Sequence, residues 1–345
     1  MNLVLLGHYR PGYRLSYYFD WRDAFLGLAE HRTRVINSAV PGRRPVPLWA
    51  RLPLRWSFPE RDVRALYAGE IACDVLILPP SFYYFNLGAR RRFIEDLAAR
   101  GGCRFATVFF IENEYRLLPD KVAYACALGA SVLVSQLPLD VARSLYGPHF
   151  QGKIVSAPPG LNPEVFRPGP PLAARRIDVG TRTHVYPVAL GDNERNTVID
   201  RFARGGGPLE GLSIDISVNE KDRFSRLEWA EFLADCRATV ATEAGASELR
   251  WDNSSPSVSG KAVSSRHFEA LGTKTAQIMF PGRFNEILRA GEHYLALDRN
   301  FRNLDEVCAA VRDVGLLGRM TDAASEFALA GHTYAHRVRG LLAAL

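Results

Sequence analysis

The feature of this sequence that most constrains its fold is a repeated alternation of short apolar runs with longer helical stretches. Residues 2–6, 74–78 and 104–111 form such apolar runs, and each is followed by turn-forming or polar residues. Continuous apolar runs of this length are typical of strands buried on both faces of a parallel sheet. Because parallel strands need a crossover connection, usually a helix, the alternation predicts an α/β fold with parallel sheets.

Chain length indicates more than one folding unit. The chain has 345 residues, which is above the size at which one hydrophobic core usually divides into two. A proline-rich turn at 158–166 closes the first series of strands, and a new series begins at residues 176–180. We therefore predict an N-terminal domain over residues 1–168 and a second parallel-sheet domain that begins at residue 169.

The charge is positive and is carried almost entirely by arginine. The formal net charge is +6, and only five of the 43 basic residues are lysines. A GC-rich coding sequence explains this bias, and an anionic ligand or membrane surface is the alternative. Because the arginines are scattered and form no long basic block, we predict no nucleic acid partner.

Cysteine use and hydropathy favour a cytoplasmic protein. The five cysteines are widely spaced and show no CxxC or zinc-site pattern, which favours reduced thiols. No run of 18 apolar residues is present, and the first residues read as a strand and not as a signal peptide. Residues 41–62 combine prolines, tryptophans and arginines, so peripheral membrane contact, acceptor binding and simple packing are all compatible with them.

Residues 264–274 carry the clearest binding signal. Ser264 and Ser265 stand where side-chain hydroxyls cap a helix, and Gly272 stands where a left-handed residue ends one. Arg266 lies in the first turn, and a helix N-terminus beside a cation suits phosphate oxygens. Glu269 lies one turn further on and could accept hydrogen bonds from ribose hydroxyls.

The segment Phe-Glu-Ala-Leu-Gly at 268–272, ahead of a strand, resembles the nucleotide-sugar motif of GT-B glycosyltransferases. It is most similar to a bacterial group-1-like branch related to CgeB-type proteins, whose closing helix the tail at 332–342 also resembles. The resemblance implies GT-B architecture, with two Rossmann-like parallel-sheet domains that face a central cleft. It also implies that the second domain covers 169–328 and that 329–345 is a closing helix.

The activity that the resemblance implies is transfer of a hexose-type sugar from a nucleotide-sugar donor to an unknown acceptor, with retention of configuration (EC 2.4). In the wider family two glutamates stand eight residues apart. Glu269 matches the second, but Lys261 occupies the first position, so the sugar-binding role of the first glutamate is not carried over.

The donor site is expected in the second domain. Departure of a nucleoside diphosphate must be stabilised by positive charge or dipoles, and no Asp-x-Asp metal motif follows a strand. We therefore predict a metal-free site with no cofactor besides the donor substrate. Structural ion pairs and turn caps are the alternative roles for the same side chains. The predicted donor-binding residues are Gly180, Arg182, Glu243, Gly245, Ser247, Lys261, Ser265, Arg266 and Glu269.

The catalytic residues are expected in the first domain, at the ends of its strands. Glu112 and Glu114 follow the run at 104–111 and would project the same way from an extended segment. Either one could accept a proton or bind a sugar hydroxyl, or the pair could form a salt-bridged loop. His8 follows the first strand, at the edge where α/β sheets bind ligands, although a lone histidine is more often structural.

Two other functions remain compatible with these residues. A nucleotide-sugar epimerase or hydrolase of the same fold would need no acceptor pocket. A non-catalytic nucleotide-sugar-binding protein would keep the fold and lose turnover. The sequence carries no signal for the oligomeric state.

Overall fold

The first sheet is parallel throughout. The computed structural model describes residues 1–10, 15–38, 59–85, 89–100, 104–187, 190 and 192–345. Within them the strand order is β2-β1-β3-β4-β5-β6. The strands are β1 (Asn2–Gly7), β2 (Arg32–Asn37), β3 (Val75–Leu78), β4 (Ala106–Phe110), β5 (Val132–Ser135) and β6 (Lys153–Ser156). The helices between them are α1 (Ser16–Leu26), α2 (Glu60–Tyr67), α3 (Ala89–Arg100), α4 (Leu118–Ala127) and α5 (Leu139–Tyr146).

The second sheet has the order β13-β12-β9-β7-β8 and is also parallel. Its strands are β7 (Ile177–Arg182), β8 (Ile214–Ser217), β9 (Cys236–Ala241), β12 (Ala276–Met279) and β13 (Leu295–Ala296). An antiparallel hairpin, β10 (Glu248–Leu249) and β11 (Val258–Ser259), stands apart from it. The helices are α6 (Glu194–Arg204), α7 (Arg226–Ala234), α8 (Ser265–Gly272), α9 (Leu304–Arg312), α10 (Val314–Gly331) and α11 (Tyr334–Ala343). The predicted α/β fold with two parallel-sheet domains is confirmed.

Strand β1 shows why these apolar runs fold as central strands. Val4 and Leu6 pack into the core on one face of the sheet, and Leu3 and Leu5 pack into the core on the other. Both faces are therefore covered by helices, which is the usual condition of a parallel sheet.

The C-terminal helix α11 packs on the first sheet. Val338 and Leu341 lie in the same buried cluster as Leu3 and Leu5 of β1. Thr333 caps α11 by accepting a hydrogen bond from the backbone N–H of His336. The chain therefore crosses back to the first sheet at its end. The residue limits of the domains, predicted at 168 and 328, stay a prediction.

Helix α8 begins after Ser264 and ends at Gly272, as predicted, but the conformation at its end differs from the prediction. Ser264 occupies the N-cap, and its backbone N–H donates to Nδ1 of His267 at 2.9 Å. The prediction that Gly272 ends the helix in a left-handed conformation is wrong, because Lys274 carries the positive φ, 53°. A Cβ on Gly272 would lie 2.5 Å from the carbonyl oxygen of Phe166. Close approach of α8 to the connection between the sheets therefore requires this glycine.

The structure tests only one of the two predictions about membranes. Among the described residues, no helix is both long and apolar enough to cross a bilayer. Most of the Pro/Trp/Arg segment, residues 41–58, lies outside the described part of the chain.

Candidate functional site

The site lies where the strand order of the second sheet reverses, between β7 and β9. Ligands of open α/β sheets bind at such a point, outside the carboxyl ends of the strands. Three adjoining cavities surround the N-terminus of α8 there, and Ser264 lines all three. Tyr17 and Ser265 also line the first two, so these two cavities share part of their walls.

The first cavity, here the arginine cavity, joins both halves of the chain. Helix α1 contributes one wall, and the second domain contributes four arginines and two aromatic side chains. The described lining residues are Leu15, Ser16, Tyr17, Arg182, Arg195, Arg223, Phe224, Trp229, Ser264, Ser265, Arg266 and Glu269. Two predicted phosphate-binding residues, Arg182 and Arg266, are thus brought together with Glu269 and Ser265.

Two of the four arginines are paired with carboxylates. Arg182 at the end of β7 donates to Oδ2 of Asp215 at 2.9 Å. Arg223 donates to Oε1 of Glu220 at 3.0 Å. Their charges are partly compensated inside the protein, so they are less available to an anionic ligand.

The other two arginines form no ion pair with a carboxylate among the described residues. Arg195 on α6 lies over the ring of Tyr186, with its guanidinium carbon 3.7 Å from the ring centroid. Arg266 lies over the ring of Trp229 at 4.7 Å and donates to the backbone carbonyl of Arg182. Burial lowers the pKa of Arg266 to about 10, so the side chain keeps its charge at neutral pH. Among the described residues of the cavity, these two cations are therefore the best candidates to bind a phosphate.

Glu269 joins three helices at the floor of the arginine cavity. It is 3% exposed. Its Oε1 accepts a hydrogen bond from Ser16 Oγ on α1 at 2.6 Å, and its Oε2 accepts one from Trp229 Nε1 on α7 at 2.7 Å. The carboxylate therefore positions Trp229 and connects the two halves of the chain. Each carboxylate oxygen retains a second lone pair, which could accept a hydrogen bond from a ribose hydroxyl. Contact with a ribose stays a prediction.

Lys261 stands apart from the other predicted phosphate ligands. It lines none of the three cavities. Its ammonium forms ion pairs with Glu194 at 2.6 Å and with Asp192 at 3.2 Å. Two carboxylates thus compensate the charge of Lys261 inside the protein, and its phosphate contact stays a prediction.

Of the remaining predicted donor residues, only Gly245 lines one of these cavities. A Cβ on Gly180 would lie 2.5 Å from Cys236 Sγ, so core packing accounts for that glycine and ligand approach does not. Glu243 accepts from the backbone N–H of Phe284 at 2.7 Å and braces a turn. Ser247 is exposed and precedes the hairpin.

The second cavity, here the carboxylate cavity, lies at the end of β4. It contains both predicted catalytic glutamates and is closed on one side by residues that flank the β10–β11 hairpin. The described lining residues are Tyr17, Glu112, Asn113, Glu114, Tyr115, Gln136, Leu137, Pro159, Tyr186, Ala244, Gly245, Leu249, Gly260, Ala262, Ser264 and Ser265.

The prediction that Glu112 and Glu114 project the same way is wrong. Asn113 between them has a φ of 49°, which is left-handed and not extended. Glu112 turns towards α1, where its Oε1 accepts from the hydroxyls of Tyr17 and Tyr18. Glu114 turns towards β5 and α5 instead. There it accepts from Ser135 Oγ at 2.6 Å, from the backbone N–H of Gln136 at 2.7 Å and from the hydroxyl of Tyr146 at 2.7 Å.

Burial raises the pKa of Glu112 into the neutral range. The side chain is 2% exposed, and desolvation raises its pKa to about 7 against the opposing effect of the tyrosine hydroxyls. Burial also raises the pKa of Glu114. A carboxyl group with a pKa near 7 that faces a cavity is typical of a functional site.

Lys121 supports this turn and was not recognised from the sequence. It is 1% exposed, and its Nζ donates to the backbone carbonyls of Glu112 and Asn113. Burial lowers its pKa to about 8. The available signal was its position between Leu118 and Val122 on the apolar face of α4.

His8 is not brought to the cavities. Its Nδ1 lies 2.9 Å from Ser38 Oγ, and its backbone N–H donates to Ser81 Oγ at 3.3 Å. It lines none of the three cavities, which places it with the supporting structure of the first sheet.

The third cavity is small and continues the arginine cavity along the strand ends. It is lined by the hydroxyl-bearing Thr181, Thr183 and Thr242, together with Arg195 and Arg266. Within the described residues, no group of three or more His, Cys, Asp and Glu side chains could hold a metal ion.

Comparison with known proteins supports the fold most directly. Residues 197–343 match a family model described as glycosyl transferase-like. No curated protein matches the sequence. An alpha-glucosyltransferase in complex with UDP and a 13-mer DNA containing an HMU base has a TM-score of 0.66 at 12% identity, over 100% of this chain and 98% of that one.

Two further structures cover the whole of both chains. Sucrose-phosphate synthase from Thermosynechococcus elongatus has a TM-score of 0.59 at 12% identity. HepE from Anabaena, in complex with UDP, has a TM-score of 0.58 at 11% identity. The chain has the GT-B fold. Its C-terminal region is glycosyltransferase-like in sequence, while the narrower CgeB-type relationship stays a prediction.

The comparisons also correct one prediction about partners. The prediction of no nucleic acid partner, made from the scattered arginines, is wrong. Several alpha-glucosyltransferase structures with this fold are complexes with DNA. The fold is therefore compatible with a nucleic acid partner.

Proposed function

We propose that the chain is a glycosyltransferase that moves a sugar from a nucleoside-diphosphate donor to an acceptor hydroxyl, without a metal ion and with retention of configuration. The observation that carries this proposal is that the two main cavities adjoin. An arginine-lined space on the N-terminus of α8 shares Tyr17, Ser264 and Ser265 with a space that is lined by a buried carboxyl group. The match of residues 197–343 to a glycosyl transferase-like family supports the same reaction.

The diphosphate would occupy the arginine cavity. Arg195 and Arg266 would donate to its oxygens, and the backbone N–H groups of Ser265 and Arg266 at the start of α8 would add their dipoles. This arrangement stabilises the charge that develops on the leaving group, so the proposal includes no metal. The ribose would lie near Trp229 and Glu269 at the floor of the cavity.

The sugar would lie at the junction, next to Tyr17, with its anomeric carbon facing Glu112. As the bond from the anomeric carbon to the phosphate oxygen breaks, positive charge develops on the sugar, and ionised Glu112 would stabilise it. The acceptor oxygen bonds to the same face of that carbon, and its proton passes to the departing phosphate oxygen. A glycoside and a nucleoside diphosphate result, with the anomeric configuration retained.

Donor binding is tested first by thermal unfolding with UDP, GDP, ADP, dTDP and CDP, each with and without EDTA. Ligand that binds only the folded protein raises the melting temperature by mass action. We expect one nucleotide to raise it, with no effect of EDTA. UDP is the first candidate, because structures with the same fold hold it. A shift that EDTA abolishes would reject the metal-free site.

The variant Arg195→Ala tests whether the nucleotide binds in the arginine cavity or responds only to the overall positive charge of the protein. It should remove most of the nucleotide-dependent shift. Arg204→Ala is the matched control, because Arg204 lies on the same helix, α6, is 74% exposed and pairs with Asp200. Equal loss in both variants would reject the arginine cavity as the diphosphate site.

Turnover is tested with the donor so identified and a panel of acceptors that includes simple sugars, lipid-linked sugars and DNA. The coupling constant of the anomeric proton in the product reports retention or inversion. Release of free sugar at the same rate with every acceptor and with none would favour a hydrolase. Binding without any turnover would favour a non-catalytic protein.

A further inference from the structure

The charge of the carboxylate cavity differs from the charge of the rest of the molecule. The protein carries 43 basic residues and a net charge of +6. Among the described residues that line this cavity, two are glutamates and none is arginine, lysine or histidine. The adjoining arginine cavity has four arginines and one glutamate. Cationic side chains therefore line the arginine cavity, whereas two carboxyl groups and no described cation line the adjoining carboxylate cavity.

Both glutamates already accept hydrogen bonds from the protein. Glu112 accepts from two tyrosine hydroxyls, and Glu114 accepts from two hydroxyls and a backbone N–H. Lys121 lies behind them, but it is 1% exposed, and its ammonium donates to backbone carbonyls. The carboxylates therefore do not require a cationic ligand to satisfy them, and no described cation is directed into the cavity to accept an anionic one.

The remaining lining suits a polyhydroxyl ligand. The side chains of Asn113 and Gln136 offer neutral donors and acceptors for hydroxyl groups. Tyr17, Tyr115 and Tyr186 also line the cavity, and aromatic side chains are common partners of the C–H face of a pyranose. Apolar and aromatic walls with a few polar groups are the usual composition of a small-molecule site.

We propose that the sugar held in the carboxylate cavity is uncharged, so that the protein selects a neutral hexose donor and rejects uronic acids and other anionic sugars. This inference rests on the proposed donor site. The physical reason is that a ligand carboxylate would leave water for a partly buried space, and burying a charge without a partner is costly. An anionic sugar would have no described cation there to compensate it.

The decisive comparison uses UDP-glucose and UDP-glucuronic acid, which differ only in CH₂OH against COO⁻ at C6. If GDP is the stabilising nucleotide, GDP-mannose and GDP-mannuronic acid replace them. Calorimetric titration of the full chain should give a dissociation constant at least tenfold weaker for the uronic acid. UDP-glucosamine should bind within about threefold of UDP-glucose, since the glutamates are already satisfied.

Two variants test the inference separately, so that the result does not depend on one substitution that the fold tolerates poorly. Gln136→Arg places a cation in the cavity wall and should narrow the difference between the uronic acid and the neutral sugar to threefold or less. Glu114→Gln removes one carboxylate and should act in the same direction. In both variants the affinity for UDP alone should stay within twofold of the parent, which shows that the arginine cavity is intact.

The outcomes separate this inference from the proposed function. If UDP binds and UDP-glucuronic acid binds as tightly as UDP-glucose, the neutral-sugar inference is wrong and the donor site stands. A preference above tenfold for UDP-glucosamine would also overturn it, because it would reveal uncompensated negative charge. If no nucleotide binds, the proposed function itself fails.

Discussion

The arginine cavity and the carboxylate cavity share Tyr17, Ser264 and Ser265 but treat their charged groups in opposite ways. In the first, Arg195 and Arg266 have aromatic faces beneath them and no carboxylate ion pair among the described residues. In the second, both glutamates accept several hydrogen bonds from neighbouring side chains. The arginine cavity therefore presents positive charge to a ligand, whereas the carboxyl groups of the carboxylate cavity are held by hydrogen bonds within the protein.

The difference shows that a charged residue near a cleft is informative only together with its partners. Lys261 and Arg266 lie five positions apart in the chain, and both were expected to bind phosphate. Lys261 is held by Asp192 and Glu194, whereas Arg266 is held by a ring and a backbone carbonyl. We therefore expect compensation of the charge, and not position in the chain, to decide which of the two side chains binds an anion.

The largest effect is expected from Glu112→Gln. Removing a charge that stabilises the transition state should lower kcat by about 100-fold or more, while nucleotide affinity stays within twofold. Steady-state kinetics and titration with the nucleotide measure the two effects separately. Glu70→Gln, at an exposed position on the first domain, is the control. Loss of nucleotide binding with unchanged kcat would remove the functional distinction between the two cavities.

The same residue predicts a pH profile. Burial raises the pKa of Glu112 to about 7, and the proposed role needs the ionised form. We therefore expect kcat to rise with pH to a plateau above about pH 7, and this rise should be absent from the residual activity of Glu112→Gln. A rise of equal size in both proteins would assign the ionisation to another group.

The next largest effect is expected from Arg266→Ala compared with Lys261→Met. A charge-assisted hydrogen bond contributes about 1.5–3 kcal/mol, so Arg266→Ala should weaken nucleotide binding by about 10- to 100-fold. Lys261→Met should change it less than about threefold. It should instead lower the free energy of unfolding by about 3–5 kcal/mol, because Asp192, 2% exposed, loses its ion-pair partner. Calorimetry and chemical denaturation distinguish the two results.

The opposite ranking would contradict the argument from compensation. If Lys261→Met weakens binding more than Arg266→Ala, then ion pairs inside the protein open when the nucleotide binds. Arg176→Ala is a neutral reference for both, since Arg176 is 84% exposed and pairs with Asp235.

Features that depend on residues a few positions apart were predictable from the sequence, and features that depend on distant residues were not. The parallel sheets and the cap of α8 at Ser264 were predictable because apolar runs and capping residues act within a few positions. The placement of Glu112 was predictable for the same reason, since it follows directly from the end of β4. The divergence of Glu112 and Glu114 was not, because it depends on the left-handed Asn113 and on Lys121 eight residues further on.

The unpredicted members of the site come from distant parts of the chain. Ser16 meets Glu269 across 253 positions, and Trp229 reaches the same carboxylate from α7. No local pattern marks such contacts. Gly180 shows the converse, because a glycine at a strand end is typical of ligand approach, but here the side chain of Cys236 occupies the adjacent space.

A smaller effect is expected from Glu269→Ala. The substitution removes the acceptor for Ser16 and Trp229, so the floor of the arginine cavity should loosen. We expect nucleotide affinity to fall about three- to tenfold, since a net hydrogen bond contributes about 1 kcal/mol, together with a lower melting temperature. Ser16→Ala is the matched control, because it removes only the contact to α1. Unchanged affinity in a folded Glu269→Ala protein would make the carboxylate purely structural.

The smallest effect is expected from the hairpin that closes the carboxylate cavity. Trp251, between β10 and β11, stacks on His149 after α5, with ring centroids 3.8 Å apart, and so holds a segment of the second half of the chain against the first. Trp251→Ala should raise the KM for the acceptor about twofold to threefold, because a stack on the exposed His149 contributes about 0.5 kcal/mol, the low end for an aromatic contact. Nucleotide affinity should not change, since none of the described residues of the arginine cavity comes from the hairpin. An effect on the nucleotide that equals the effect on the acceptor would mean that the two cavities open and close together.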